Sequence, residues 1–162
     1  MKILTMKFGG TSVADIDRIR SVRDIISDEV KDGYNVVAVV SAMSNETNKL
    51  IDLAKQVGVE SLVDPEYDSL ISTGEDVSSS LLAIALNSIA ISSRSWRGWQ
   101  LPVRTDSFHS NAKIEEIETN QLINSFKEGF KVAVVSGFQG IEQAGRITTL
   151  GRGGSDTSAV AI

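Results

Sequence analysis

A chain of 162 residues with 41% hydrophobic and 23% charged side chains has the size and composition of one soluble globular domain with a substantial core. A net charge of -5, a pI of about 4.9 and the lack of a basic patch interleaved with aromatics give no basis for a nucleic-acid partner. The chain has no cysteine and one histidine, which excludes disulfides and thiol chemistry and argues against a dedicated transition-metal site. No apolar run is long enough to span a bilayer and the polar start Met1-Lys2-Ile3-Leu4-Thr5 does not read as a signal peptide, so a cytoplasmic location is expected.

Residues 3–8 read as a short strand broken by Gly9-Gly10, after which Thr11 or Ser12 is expected to cap a helix. That helix carries Val13, Ile16, Ile19, Val22, Ile26 and Val30 at spacings of three and four, one apolar stripe fit to pack on a sheet. Asp32-Gly33 ends it. The continuous apolar run 36–40 is the pattern of a strand covered on both faces, which favours parallel pairing. A polar turn at 41–45, a helix over 47–57, a second helix after Pro65 and a long one over 75–91 follow, the last offering Val77, Leu81, Leu82, Ala85 and Ile89 for burial. Strands are expected at 101–105 and, on a weaker pattern, at 114–117. A helix at 120–130, a buried strand at 131–136 closed by Gly137, and a strand at 146–150 complete the series. Alternating helices and apolar strands predict an α/β fold with a mostly parallel sheet.

In open parallel sheets ligands bind beyond the carboxyl ends of the strands, so the residues that follow each strand carry the functional information. They are Lys7-Phe8-Gly9-Gly10-Thr11-Ser12, then Ser41-Ala42-Met43-Ser44-Asn45-Glu46-Thr47-Asn48, then Gly137-Phe138-Gln139-Gly140, and finally Thr148-Thr149-Leu150-Gly151-Arg152-Gly153-Gly154-Ser155-Asp156-Thr157-Ser158. Gathered on one edge they would supply a lysine, an arginine, hydroxyls and exposed backbone amides, an inventory suited to phosphate and a carboxylate. Taken singly, each has a plain structural reading. Gly9-Gly10 could be a tight turn, Lys7 a surface lysine, and Asp156 and Glu75 acidic residues complementing helix dipoles at about 0.3–1 kcal/mol each. Asp106-Ser107-Phe108-His109 is not read as a catalytic triad, because no Gly-x-Ser-x-Gly elbow is present. Neither a P-loop nor a Gly-x-Gly-x-x-Gly fingerprint occurs.

Together the blocks Lys7-Phe8-Gly9-Gly10-Thr11-Ser12-Val13, Val40-Ser41-Ala42-Met43 with Thr47-Asn48, Ser72-Thr73-Gly74-Glu75, Gly137-Phe138-Gln139-Gly140 and residues 148–157 resemble, in order, the aspartokinase branch of the amino acid kinase family. The resemblance implies a three-layer αβα sandwich corresponding to the N-terminal portion of one kinase domain. The rest of the nucleotide site and the regulatory ACT domains would lie in chain that is absent, and that chain would cover Ala159-Val160-Ala161-Ile162. It further implies transfer of the ATP γ-phosphate to the side-chain carboxylate of L-aspartate, the entry step to lysine, threonine, methionine and diaminopimelate. Lys7 and Asp156 would be catalytic, and Mg2+ would be held mainly by the nucleotide phosphates. Lys7, Phe8, Gly9, Gly10 and Ser41 would face ATP. Thr47, Glu75, Phe138, Gly151, Arg152, Gly153 and Ser155 would face aspartate, with Arg152 on a carboxylate and Glu75 on the ammonium. A homo-oligomer, or pairing with the missing half, is expected, with little activity in the isolated chain. Another amino acid kinase is disfavoured because an ammonium-binding Glu75 suits only a free α-amino acid; a non-catalytic amino-acid-binding fragment is the rival from outside the enzymes. The family's usual glycine is replaced by Asn45, which tolerates left-handed backbone.

Overall fold

The computed structural model describes residues 1–59, 61, 63–151 and 153–162. Its frame is a four-stranded parallel sheet in the order β1-β2-β6-β3, built from β1 (Lys2–Phe8), β2 (Tyr34–Val40), β6 (Val132–Ser136) and β3 (Ser93–Trp96). Between them the chain forms α1 (Ile16–Lys31), α2 (Glu46–Val57), α3 (Pro65–Ile71) and α4 (Thr73–Asn87), then β4 (Val103–Thr105), β5 (Ile114–Ile117) and α5 (Asn120–Lys127). It ends with β7 (Gln139–Ile141), β8 (Ile147–Thr149) and α6 (Gly154–Ala161).

The strand period of two sorts the core. Val36, Ala38 and Val40 of β2 with Val132 and Val134 of β6 meet α1 and α4 through Ile19, Val22, Ile26, Leu82 and Leu86. Val37, Val39, Ala133 and Val135 face the other way, onto Leu122 and Phe126 of α5, with Ala159 and Ile162 packed alongside. Helices thus cover both faces, as the all-apolar pattern of the two central strands requires. A third cluster, Ala54, Tyr67 and Ile71, joins α2 to α3 and reaches Phe138.

Beside this sheet lies a second one, order β5-β4-β7-β8, with one parallel and two antiparallel pairings, which the single-sheet expectation did not contain. Strand β3 was also not expected. Its Ser-Arg-Ser-Trp sequence lacks a β signal, and it is held instead by Asn87, which accepts from Ser93 N (2.9 Å) and donates to Ser93 O (3.2 Å). The N-cap of α1 is Asp15, accepting from Arg18 N at 2.8 Å, rather than Thr11 or Ser12. Gly9 O instead accepts from Ser12 N and Val13 N, closing a separate turn before the helix. Helix α4 stops at Asn87, short of the expected residue 91. Ile91 N donates to Leu86 O and Ala90 N to Asn87 O, with Ala90 left-handed at φ 62°, a Schellman stop without the usual glycine.

The long helix also tests the burial assignment. Leu82 is fully buried, whereas Val77 is 51% exposed and Ile89 40% exposed, against the expectation for both. Leu82→Ala is expected to lower unfolding free energy by about 2–5 kcal/mol and Val77→Ala by less than about 0.5 kcal/mol; equal losses in urea titrations would contradict this packing.

Candidate active site

Three neighbouring parallel strands end level with one another. Phe8 pairs in register with Val40, and Val40 with Ser136. Ser41 N donates to Phe8 O and Gly137 N to Val40 O, each at 3.0 Å, so the loops leave from one edge. There they enclose a cleft of about 300 Å³ lined by Lys7, Gly9, Gly10, Ser41, Thr47, Glu75, Phe138, Gly151, Gly153, Gly154, Ser155 and Asp156. A second hollow of about 390 Å³ shares Gly10, Ser41, Thr47 and Glu75 and extends over Met43, Asn45 and Asn48.

On one side of the cleft Lys7 Nζ stands 2.8 Å from Asp156 Oδ1 in an ion pair that remains open to solvent. A Cβ on Gly9 would approach Lys7 Nζ to 3.4 Å and one on Gly10 would come 3.0 Å from Ala42 O, so the glycine turn runs tight beneath the ammonium. Asp156 lies in the first turn of α6, whose N-cap Gly153 is left-handed at φ 76°. The helix is seated by close approach. A Cβ on Gly137 would stand 2.8 Å from Ser155 Oγ, and one on Gly154 would stand 2.9 Å from both Leu150 Cβ and Phe138 Cδ2. Phe138 is itself left-handed at φ 68°; its N–H donates to Ser158 Oγ at 3.2 Å and its carbonyl accepts from Leu150 N at 2.9 Å. The N-terminus of α6 therefore opens into the cleft beside a lysine, an arrangement that attracts anions.

Opposite lies Glu75, 4% exposed at the start of α4. Its Oε1 accepts from Ala42 N at 3.0 Å, while Oε2 is buried and has no hydrogen-bond partner among the described residues. Burial pushes this carboxyl up to about 7, against the opposing pull of the Ala42 N–H. A Cβ on Gly74 would come within 2.9 Å of Ala42 Cβ, so α4 begins against the 41–47 loop. Ser78 Oγ donates to Ser41 O at 2.7 Å and fixes that loop from below. Asn45 stands at φ 64° as the N-cap of α2, the left-handed backbone that a glycine or asparagine tolerates.

The structure thus gathers Lys7, Gly9, Gly10, Ser41, Thr47, Glu75, Phe138, Gly151, Gly153, Ser155 and Asp156 around one cleft. Phe8 does not line it: its ring is buried with the α1 and α4 side chains, and it meets the site through its carbonyl. Arg152 lies outside the described residues. Sequence reading included Gly154 in the glycine loop but gave no site role of their own to Gly154, whose lack of a side chain admits Phe138, or to Ser78 under the 41–47 loop. It missed the buried pair Ser79 Oγ and Ser136 Oγ, 2.9 Å apart between α4 and β6. Among the described residues no group of three or more His, Cys, Asp or Glu side chains is placed to hold a metal, and no helix is long and apolar enough to cross a membrane.

A parallel sheet with a lysine, a glycine turn and a helix N-terminus at its carboxyl edge defines a site for anionic groups, and the chain belongs to the amino acid kinase family, whose model matches residues 2–162. The chain is 48% identical over its whole length to an aspartokinase of Bacillus sp. strain MGA3, and spans 39% of the length of that relative. Among solved structures, the aspartate kinase of Synechocystis superposes with a TM-score of 0.79 at 42% identity, covering 99% of this chain and 26% of that one. Aspartokinase III of E. coli, solved in complex with aspartate and ADP, gives the same TM-score at 25% identity, over 96% of this chain and 45% of that one.

The raised carboxyl has a consequence for stability. Because the folded value of Glu75 lies above its ordinary 4.5, its favourable contribution is complete below 4.5 and is lost as pH rises through 7. Stability of the protein should fall between pH 4.5 and 7 by about 3 kcal/mol from this group, and Glu75→Gln should flatten that fall; parallel pH profiles of the two proteins in urea titrations would refute the assignment.

Proposed function

We propose that the protein of which this chain forms the cleft is an aspartate kinase, transferring the γ-phosphate of ATP to the side-chain carboxylate of L-aspartate. The observation that carries the reading is Oε2 of Glu75, without a hydrogen-bond partner among the described residues and buried beside the same cleft as the Lys7–Asp156 pair. An isolated buried carboxylate oxygen calls for a cationic donor. The α-ammonium of an amino acid meets that need, and an acceptor without an ammonium does not. The high identity to aspartokinases supports aspartate as that amino acid.

The chemistry asks little of the protein beyond placement. The aspartate side chain is ionised near neutral pH, so no general base is required. One carboxylate oxygen forms a bond to the γ-phosphorus, the bond to the β–γ bridging oxygen breaks, and its electron pair leaves with ADP. Lys7, steered by Asp156 at 2.8 Å, neutralises charge on the transferred group, and Gly9 and Gly10 let the backbone approach the phosphates. Ser41 sits beside the nucleotide, with Phe8 fixing that turn through its carbonyl. Thr47, Phe138, Gly151, Gly153 and Ser155 shape the acceptor side, and the resemblance gives Arg152 the substrate carboxylate. Mg2+ would arrive on the nucleotide phosphates, and Asp156, an exposed carboxylate at the mouth, fits as a protein oxygen toward it. The product, 4-phospho-L-aspartate, is an activated acyl phosphate, consistent with entry to lysine, threonine, methionine and diaminopimelate synthesis in the cytoplasm. Turnover is assigned to this chain together with the further length its relatives possess, as an oligomer or a paired assembly.

In the full-length protein Lys7→Ala is expected to cut turnover by roughly 10²- to 10³-fold while L-aspartate binding, read by calorimetry, changes little. Undiminished turnover would remove Lys7 from the mechanism.

A further inference from the structure

Outside the cleft lies a buried polar cluster that the proposed mechanism does not use. Asp68, on α3, is completely buried. Its Oδ1 accepts from Thr149 Oγ1 at 2.7 Å and Ser110 Oγ at 3.2 Å. Its Oδ2 accepts from Thr149 N at 3.0 Å and from His109 Nδ1 at 2.9 Å, which requires the histidine to carry its hydrogen on Nδ1. Ser110 N bridges both oxygens at 3.0 and 3.1 Å. The sequence neighbour Asp106 plays no part in this; it accepts from Phe108 N and Lys113 N and shapes its own loop.

The two segments Asp68 joins are the two that fix the start of the glycine turn. Thr149 is the last residue of β8, two positions before Gly151. The 109–111 loop is the wall on which Gly151 rests: a Cβ there would meet Asn111 Oδ1 at 2.8 Å and Ser110 O at 3.3 Å. Ala112 N donates to Thr149 O at 2.9 Å and closes the same junction. Gly151 is left-handed at φ 75°, and its carbonyl accepts from Gly154 N at 3.1 Å, so a shift at 149 or 111 is passed directly to the first turn of α6. A carboxylate meeting several donors at once is far less compliant than any one neutral hydrogen bond.

We propose that Asp68 is a positioning residue for the acceptor side of the cleft, setting the backbone of Gly151 and of residues 153–155 by tying the end of β8 to the 109–111 loop. The proposal rests on the kinase reading only for the identity of the ligand. In the full-length protein, Thr149→Val keeps the shape and removes one donor, and Asp68→Asn keeps the shape and replaces an acceptor oxygen by a donor among donors. Hydrogen exchange at the Gly154 and Thr157 amides is expected to accelerate about tenfold or more in Thr149→Val while β2 amides hold their rates, and the KM for L-aspartate to rise roughly 5- to 20-fold with the KM for ATP within about twofold. Asp68→Asn, where it folds, should exceed both effects. Uniform acceleration across the protein, or unchanged exchange and unchanged KM for L-aspartate in Thr149→Val, overturns the proposal. Failure of the wild-type protein to use L-aspartate overturns the kinase reading instead, and the exchange pattern then still decides the role of Asp68.

Discussion

The register of three parallel strands is the constraint from which the site follows. Every residue of the run 36–40 is buried, so β2 must be apolar on both faces and can lie only between helical layers. Period two then fixes what the neighbouring strand can offer. Phe8, paired with Val40, falls on the face of α1 and α4 and is buried there. Lys7, one residue earlier, necessarily projects to the other face, where α6 lies and Asp156 waits 2.8 Å from it. A slip of one residue in this pairing would bury the ammonium and expose the ring.

The second requirement is close approach, and it is met by glycine. Helix α6 sits so near the end of β6 that a Cβ at Gly137 would overlap Ser155, and one at Gly154 would overlap Leu150 and Phe138. Larger residues at either place would lift the helix N-terminus off the sheet edge and pull Asp156 away from Lys7. The left-handed backbone at Phe138, Gly151 and Gly153 serves the same end, turning the chain sharply twice in a short span. Close packing and the placement of the helix start are therefore two results of one arrangement: the approach that leaves no room for side chains is what brings the N-terminus of α6 to the edge of the cleft.

Much of this was legible in the residues, and the reasons for the rest are specific. The runs 36–40 and 132–135 are apolar throughout and admit one reading, and the loops that follow strands meet around the candidate cleft because an open parallel sheet puts them on one edge. Strand β3 was hidden because its Ser-Arg-Ser-Trp sequence is stabilised by Asn87 and by pairing with β6, neither visible locally. The end of α4 was misplaced because a left-handed alanine, Ala90, stands where a glycine would have announced the stop. Val77 and Ile89 fit the apolar stripe but face solvent, since periodicity reports a face and not its partner. The Asp68 cluster joins residues 41, 42 and 81 positions apart, and no local pattern encodes such a meeting.

Glu75 shows how stability and binding are set against each other here. A buried carboxyl with one oxygen bonded to Ala42 N and the other bare is unfavourable for the free protein, by about 1–3 kcal/mol for the missing partner alone. An apolar residue would relieve that cost, and Ala42 N would then lose its acceptor. Under the proposed function the ammonium of the incoming amino acid supplies the missing donor and the opposite charge together. The carboxyl held near 7 in the free protein would then ionise on binding and release a proton, so affinity for the amino acid rises with pH over the range in which the free protein weakens. On that reading the ligand would complete the hydrogen bonding of Glu75, and folding and amino-acid recognition would be coupled through a single oxygen.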